Sequence, residues 1–166
     1  MPEKETLERA ERDKREGKAP TTQAGEFIRE EMHHIREGKH GARSSKQAIA
    51  IGLSKARRAG VDLPPPGKGR ASEKTRKSAQ RAYAKGHSGH PGQKSAKRSR
   101  AISGVLKREG HSAASHTALS KQARSAASQR PAGERSAAAK KAARTKGPAE
   151  RSAAARKAAR TRAAHR

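Results

Sequence analysis

The apolar positions of this chain come in short bursts separated by long polar stretches, and their spacing predicts helices. Residues 3–16 mix Glu, Lys and Arg with almost no apolar stripe, which predicts a charged helix that frays or stays disordered. GKAPT, residues 17–21, breaks it. The first amphipathic pattern follows at 22–37. There Ile28, Met32 and Ile35 recur at i, i+4 and i+7 with Phe27 beside them, and Thr22 is placed to cap the N-terminus. Gly38 suits the position just past a helix end. After KHGAR, residues 39–43, the pattern Ser44-x-x-Gln47 reads as a capping box. The helix it opens runs to residue 59, with Ile49, Leu53 and Ala56 on one face and Ala48 and Ile51 flanking. Gly60 is placed to cap it, and Val61 and Leu63 to fold back onto the pair. Residues 22–63 are therefore expected to form a helical hairpin whose core is Phe27, Ile28, Met32, Ile35, Ile49 and Leu53.

Pro64-Pro65-Pro66-Gly67 then marks a stiff linker, extending as a basic Pro/Gly segment over 64–72. Beyond it the apolar content thins. Residues 73–85 predict a helix around Ala79, Ala82 and Tyr83, and GHSGHPG at 86–92 is a break. Ile102, Val105 and Leu106 give a second apolar stripe within 95–109, which Gly110 ends. Residues 116–128 carry Leu119 with Ala118, Ala123 and Ala126. The region 73–128 reads as basic, weakly amphipathic helices.

The end of the chain is a duplication. ERSAAAKKAARTK at 134–146 returns sixteen residues later as ERSAAARKAARTR at 150–162, and both differences exchange Lys for Arg. At 100° per residue, Ala138, Ala139, Ala142 and Ala143 share one face while Lys140, Lys141 and Arg144 gather on the other. Arg156, Lys157 and Arg160 repeat that face. Pro148 suits a first helical turn, and Glu150 complements the dipole there. Alanine favours helix, but short isolated helices are marginal and crowded cations weaken them. The expected behaviour of 129–166 is disorder or fraying alone, and helix on a polyanion. Two copies of a cationic unit raise the effective valency.

Charge sharpens this picture. The 166 residues hold 41 Lys+Arg and 15 Asp+Glu, a net of +26, with 30% hydrophobic residues, one Phe, one Tyr and no Trp. Such a composition buries little apolar surface and predicts little compact core. The imbalance is concentrated: residues 1–37 hold 8 cations and 10 acids, while residues 67–166 hold 27 cations and 4 acids. The fold class expected is mostly α, a small hairpin plus an extended basic tail that is helical or disordered.

A one-sided charge of this size implies a polyanionic partner. Phosphate neutralisation by Lys and Arg gives sequence-independent affinity. Single-strand and RNA modules usually add aromatic platforms, which two aromatic residues cannot supply. Duplex DNA is thus favoured over RNA. The expected phosphate contacts are Arg57, Arg58, Lys68, Arg70, Lys140, Lys141, Arg144, Arg156, Lys157 and Arg160. A helix-turn-helix reading of 22–63 would place Lys46, Gln47, Lys55, Arg57 and Arg58 on the second helix. Its loop is longer than the usual three or four residues, and no third helix is evident. The alternative class is a protein-interaction module, antitoxin-like in one form, with 22–63 pairing with itself or a partner and the tail supplying only charge and solubility.

Other chemistries find little support. There is no Cys, Gly-x-Ser-x-Gly elbow, Walker loop or dinucleotide fingerprint, so neither an enzyme nor a cofactor is expected. The eight histidines include His33-His34…His40 and His87-x-x-His90. Without Cys, and without a carboxylate near His87, they read as exposed side chains rather than metal ligands. The charged start is no secretory signal, no stretch is long and apolar enough for a membrane span, and an alanine face is a weak membrane anchor. A cytoplasmic protein without a membrane partner is expected.

GEFIREEMHHIREGKHGARSSKQAIAIGLSKARRAGVDLPPP, residues 25–66, resembles a family of small basic bacterial proteins often labelled plasmid stabilisation proteins. Its most specific segment is KHGARSSKQAIAIGLSKARRAG, 39–60, and AKRSRAISGVLKREGHSAASHTALSKQARSAA, 96–127, is similar to the family's extended form. The tail also resembles linker-histone tails and bacterial histone-like proteins in composition. These resemblances imply a bacterial origin and an association with DNA in the nucleoid or in plasmid maintenance. They imply no catalytic residues.

Overall fold

The computed structural model describes residues 2–88 and 95–164. His90 and the end of the 86–92 break lie outside them. Among the described residues there are eight α-helices and one short 3-10 turn, and no strand. The helices are α1 (Lys4–Arg15), α2 (Pro20–Arg36), α3 (Ser45–Arg58), α4 (Glu73–His87), α5 (Ala96–Arg108), α6 (His116–Ser128), α7 (Ala132–Thr145) and α8 (Pro148–Ala164). The chain falls into two units, residues 1–122 and residues 123–166.

In the first unit, α2 and α3 form the hairpin, and the sequence signals largely fix its ends. Ser44 Oγ accepts from the Gln47 backbone N–H at 3.2 Å, as a capping box requires. The return bond is shifted by one residue, since Gln47 Oε1 accepts from Arg43 N at 2.9 Å rather than from Ser44. Gly38 and Gly60 take positive φ, 75° and 88°, and so turn the chain at the two helix ends where a side chain would be strained. The start of α2 is a correction. Pro20 opens the helix and Ala19 precedes it, so Thr22 lies inside the first turn. Proline already holds the helical φ and lacks the N–H that a first-turn residue would leave unpaired.

The core has two parts. One joins Ala10, Ala24, Phe27, Ala56, Val61 and Leu63, with Leu53 packed against it. The other joins Met32, Ile35, Ala42, Ala48, Ala113 and Ala114, with Ile28, Ile49 and Leu119 against it. Phe27 and Ile35 are fully buried, whereas Ile28, Ile49 and Leu53 are half-buried at the margins. Small residues let the backbones approach: a Cβ on Gly52 would lie 2.8 Å from Ile28 Cα, and one on Gly86 would strike the Arg57 carbonyl.

The hairpin is not alone. The expected fraying of 3–16 is corrected, because α1 docks on α2. Thr6, Ala10 and Asp13 are its buried residues. Arg9 Nε reaches Glu26 Oε2 at 2.6 Å, and the Glu3 backbone N–H donates to Glu30 Oε2 at 3.0 Å. Polar matching thus replaces the apolar stripe that α1 lacks. On another side α4 buries Ala79 and Ala82. The segment after α5 is tied on through backbone groups. Gly41 N donates to Leu106 O at 2.8 Å, Ala42 N to Gly110 O at 3.0 Å, and Ser45 Oγ to Ala113 O at 2.6 Å. Ile102 and Val105 stay exposed, so their stripe serves no internal core.

The second unit is the last part of α6 followed by α7 and α8. The expected disorder of the duplicated tail is corrected: both copies are helical. Alanine supplies the propensity, and Pro148 begins α8 as its first-turn chemistry favours. Thr145 Oγ1 donates to Lys141 O at 3.0 Å, and Thr161 Oγ1 to Lys157 O at 3.1 Å. The two copies therefore close with the same local bond.

Candidate nucleic-acid interface

The duplicated phrase places its cations at equal steps on two helices. Lys140, Lys141 and Arg144 on α7 are exposed, as are Arg156, Lys157 and Arg160 on α8. No described residue from 123 to 164 is buried. Residues 132–164 hold ten Lys+Arg and two acids, Glu134 and Glu150, each in the first turn of its helix. Both acids sit where the helix dipole favours them, leaving the cations to set the sign of the surface. Arg58, Lys68 and Arg70 are also exposed, the first at the end of α3 and the others in the linker.

Arg57 is removed from the set. It is 7% exposed, and its Nε donates to Leu63 O at 3.0 Å and its Nη2 to Pro64 O at 3.3 Å. Burial pulls its pKa down. Its guanidinium fastens the return segment after Gly60 and cannot also meet a phosphate. Lys55 leaves the exposed side of α3 in the same way. It lies 3.1 Å from Glu30 Oε1 and 2.7 Å from Glu31 Oε2. Burial lowers its pKa, but the two carboxylates outweigh that and hold it above its ordinary value. Gln47 is spent on the cap. Of the five residues a helix-turn-helix reading would use, only Lys46 and Arg58 are exposed and outside these bonds.

Both aromatic side chains are engaged within the first unit. Phe27 is in the core. Tyr83 Oη donates to Asp62 Oδ1 at 2.6 Å and its ring stacks on His87 at a centroid distance of 4.0 Å. The hydrogen bond to Asp62 raises the Tyr83 pKa.

The histidines divide. His33 is exposed, but His34 and His40 have side chains only 13% and 18% exposed, so the expectation of open histidines is corrected for these two. They gather around Glu31, which is fully buried, and one donor atom from each of the three lies within 4.8 Å of the others. Sequence reading missed this cluster. The available signal was the register of Glu31, four residues after Phe27 and four before Ile35, which places a carboxylate on the buried face of α2.

Residues 21–68 match a family of unknown function, DUF6496. That stretch covers α2, α3 and the segment to Lys68, and so includes Glu31, His34, His40, Lys55 and Arg57. No curated protein and no solved structure matches the chain. No described helix is long and apolar enough to cross a membrane.

Proposed function

We propose that this protein binds duplex DNA without sequence preference, through the cationic faces of α7 and α8, with Arg58, Lys68 and Arg70 adding contacts from the first unit. The carrying observation is the exposure of Lys140, Lys141, Arg144, Arg156, Lys157 and Arg160 at matched positions of two helices in a region without buried residues. Cations free of a core are available for phosphates, and each phosphate neutralised releases counterions. Engagement of Phe27 and Tyr83 elsewhere supports phosphate contact over base stacking. The resemblance of 25–66 to the basic bacterial family supports a nucleoid or plasmid-maintenance setting, in the cytoplasm. The alternative, a partner bound through 22–63, is less favoured because Phe27, Met32 and Ile35 are buried within the first unit.

The test is a titration of the full chain with unrelated duplex sequences at several salt concentrations. Similar affinities are expected, with log K falling against log salt by about 0.9 per phosphate neutralised. Replacing the six repeat cations with alanine should flatten that slope by about 5, at roughly 0.9 per lost contact. Absence of binding at low salt would overturn the proposal, and an unchanged slope in the six-fold variant would overturn the assignment to α7 and α8.

A further inference from the structure

The cluster of Glu31, His34 and His40 has features that the DNA-binding reading does not use. Glu31 is 0% exposed, and neither of its carboxylate oxygens accepts a hydrogen bond. Lys55 Nζ, 2.7 Å from Oε2, forms an ion pair with it. A buried carboxylate with one ammonium at Oε2 and no donor directed at Oε1 calls for an explanation, because folding removed its water and replaced only part of it.

His40 faces this carboxylate with one ring nitrogen, and His34 brings a ring nitrogen into the same cluster. His40 Nδ1 lies 3.1 Å from Gly41 O. A carbonyl only accepts, so Nδ1 carries the proton and the neutral ring presents a bare Nε2. That Nε2 lies 3.3 Å from Glu31 Oε1. Two acceptors face each other, an arrangement that is stable only with a cation between them. His34 shows a related arrangement: its Nε2 lies 2.8 Å from Glu3 Oε1, a carboxylate that also only accepts. In the neutral ring this leaves Nδ1 as the lone-pair nitrogen. A histidine whose second nitrogen donates to a carboxylate or a backbone carbonyl is the usual support for a metal ligand.

We infer that Glu31, His34 and His40 form a binding site for a divalent transition-metal ion of the zinc class. The separation supports it. Four ligands at about 2.0–2.1 Å around tetrahedral zinc have neighbouring donors roughly 3.3 Å apart. Glu31 Oε1 and His40 Nε2 already stand at 3.3 Å. The donor set of two imidazoles and one carboxylate suits Zn2+, Ni2+ or Cu2+ rather than Ca2+ or Mg2+. Lys55 holds Oε2 and leaves Oε1 to the ion. With three protein donors, the fourth position falls to water. The site joins α2 to the α2–α3 loop, next to Gly41, whose backbone N–H holds the end of α5. A bound ion would brace the docking of 106–114 onto the hairpin. The site draws on no residue of the proposed DNA interface, so the two stand or fall separately.

The experiment uses the full chain, stripped with a chelator and dialysed, then titrated with Zn2+ alone in competition with a chromophoric chelator. Co2+ substitution reports coordination geometry through its visible absorption. One equivalent bound with submicromolar affinity is expected. His40→Asn should weaken it at least about tenfold, and Glu3→Gln, which removes the carboxylate shared by His34 and Lys39 without touching a proposed ligand, by about 10–100-fold. Saturating Zn2+ should raise the unfolding midpoint of the native sequence and have much less effect on either variant. Should His40→Asn fail to fold, Glu3→Gln decides, since Glu3 is exposed. No stoichiometric binding would overturn the inference, and so would binding equally tight in the Glu3→Gln and His40→Asn proteins. The cation between Glu31 and His40 would then be a proton, or the zinc would sit on the other histidines.

Discussion

The two units of this protein use the same side chains in opposite ways. In residues 1–122 three cations are drawn into the packing: Lys55 lies between Glu30 and Glu31, Arg57 is buried against Leu63 and Pro64, and Arg9 reaches Glu26. Among the described residues from 123 to 164 the cations stay out, on helices that bury nothing. The first unit obtains a core from a composition poor in large apolar residues. It does so by packing alanines and glycines closely and by matching buried charges, and among the described residues Phe27 and Ile35 are the large apolar side chains fully enclosed. The second obtains helix from alanine propensity and end chemistry alone. Net charge therefore says little about where charge is available. Position on the helix decides it.

The largest effect that would sharpen this contrast comes from the core. Phe27→Ala should cost about 3–5 kcal/mol, the range for truncating a buried aromatic. Chemical denaturation followed by circular dichroism would measure it. The loss should appear as unfolding of the first unit, while the helical signal of 132–164 persists and DNA affinity changes little. Collapse of DNA binding along with the core would break the division of labour between the units.

Much of the fold was legible because its signals are local. The capping box at Ser44, the glycines at 38 and 60, and the i, i+4, i+7 spacing of Ile28, Met32 and Ile35 each act within a few residues. What escaped depends on contacts far apart in sequence. The docking of α1 rests on Arg9 meeting Glu26 and on Glu3 meeting Glu30, His34 and Lys39, none of which leaves an apolar stripe. The docking of 106–114 uses its backbone carbonyls and the small side chains of Ala113 and Ala114, which make no large apolar stripe. The candidate interface shows the same split. The repeat cations could be placed by counting along one helix. The charge of Arg57 suggests a phosphate contact, but its register, four residues after Leu53, puts it on the buried side of α3.

That residue supplies the next prediction. Arg57→Ala should destabilise the first unit by about 1.5–3 kcal/mol, as expected when hydrogen bonds from a charged group are lost and buried carbonyls are left unpaired. Its effect on the salt slope of DNA binding should be near zero, whereas Arg58→Ala should reduce the slope by roughly 0.9 with little change in stability. The reverse pattern would put Arg57 back in the interface and overturn the role given to its burial.

The smallest expected effect is on the acid side, and it tests whether buried charge belongs to the first unit alone. Burial tends to raise the pKa of Glu30, but bonds from the Glu3 backbone N–H, Lys55 and Thr6 outweigh it and hold the carboxyl below its ordinary 4.5. Between the folded and unfolded values the unfolded chain binds more protons, so stability rises with pH across that window. The contribution is fully present above 4.5 and is lost as the pH falls through the lowered folded value. Glu3, held down by His34 and Lys39, and Glu37, held down by Lys39 and His33, change in the same direction. Lys55 is the opposite case. Its raised pKa keeps its contribution intact through neutral pH, and that contribution is lost only in strong alkali. Unfolding midpoints measured from pH 7 down to pH 3 should therefore fall for the first unit below about 4.5, near the usual carboxylate range. The helical signal of 132–164, with only Glu134 and Glu150 to protonate, should change far less over the same range. In Glu30→Gln the acid-side fall should be shallower, because the shifted carboxyl is gone. An equally steep fall in that variant would mean that acid sensitivity arises outside the Glu30–Lys55 pair.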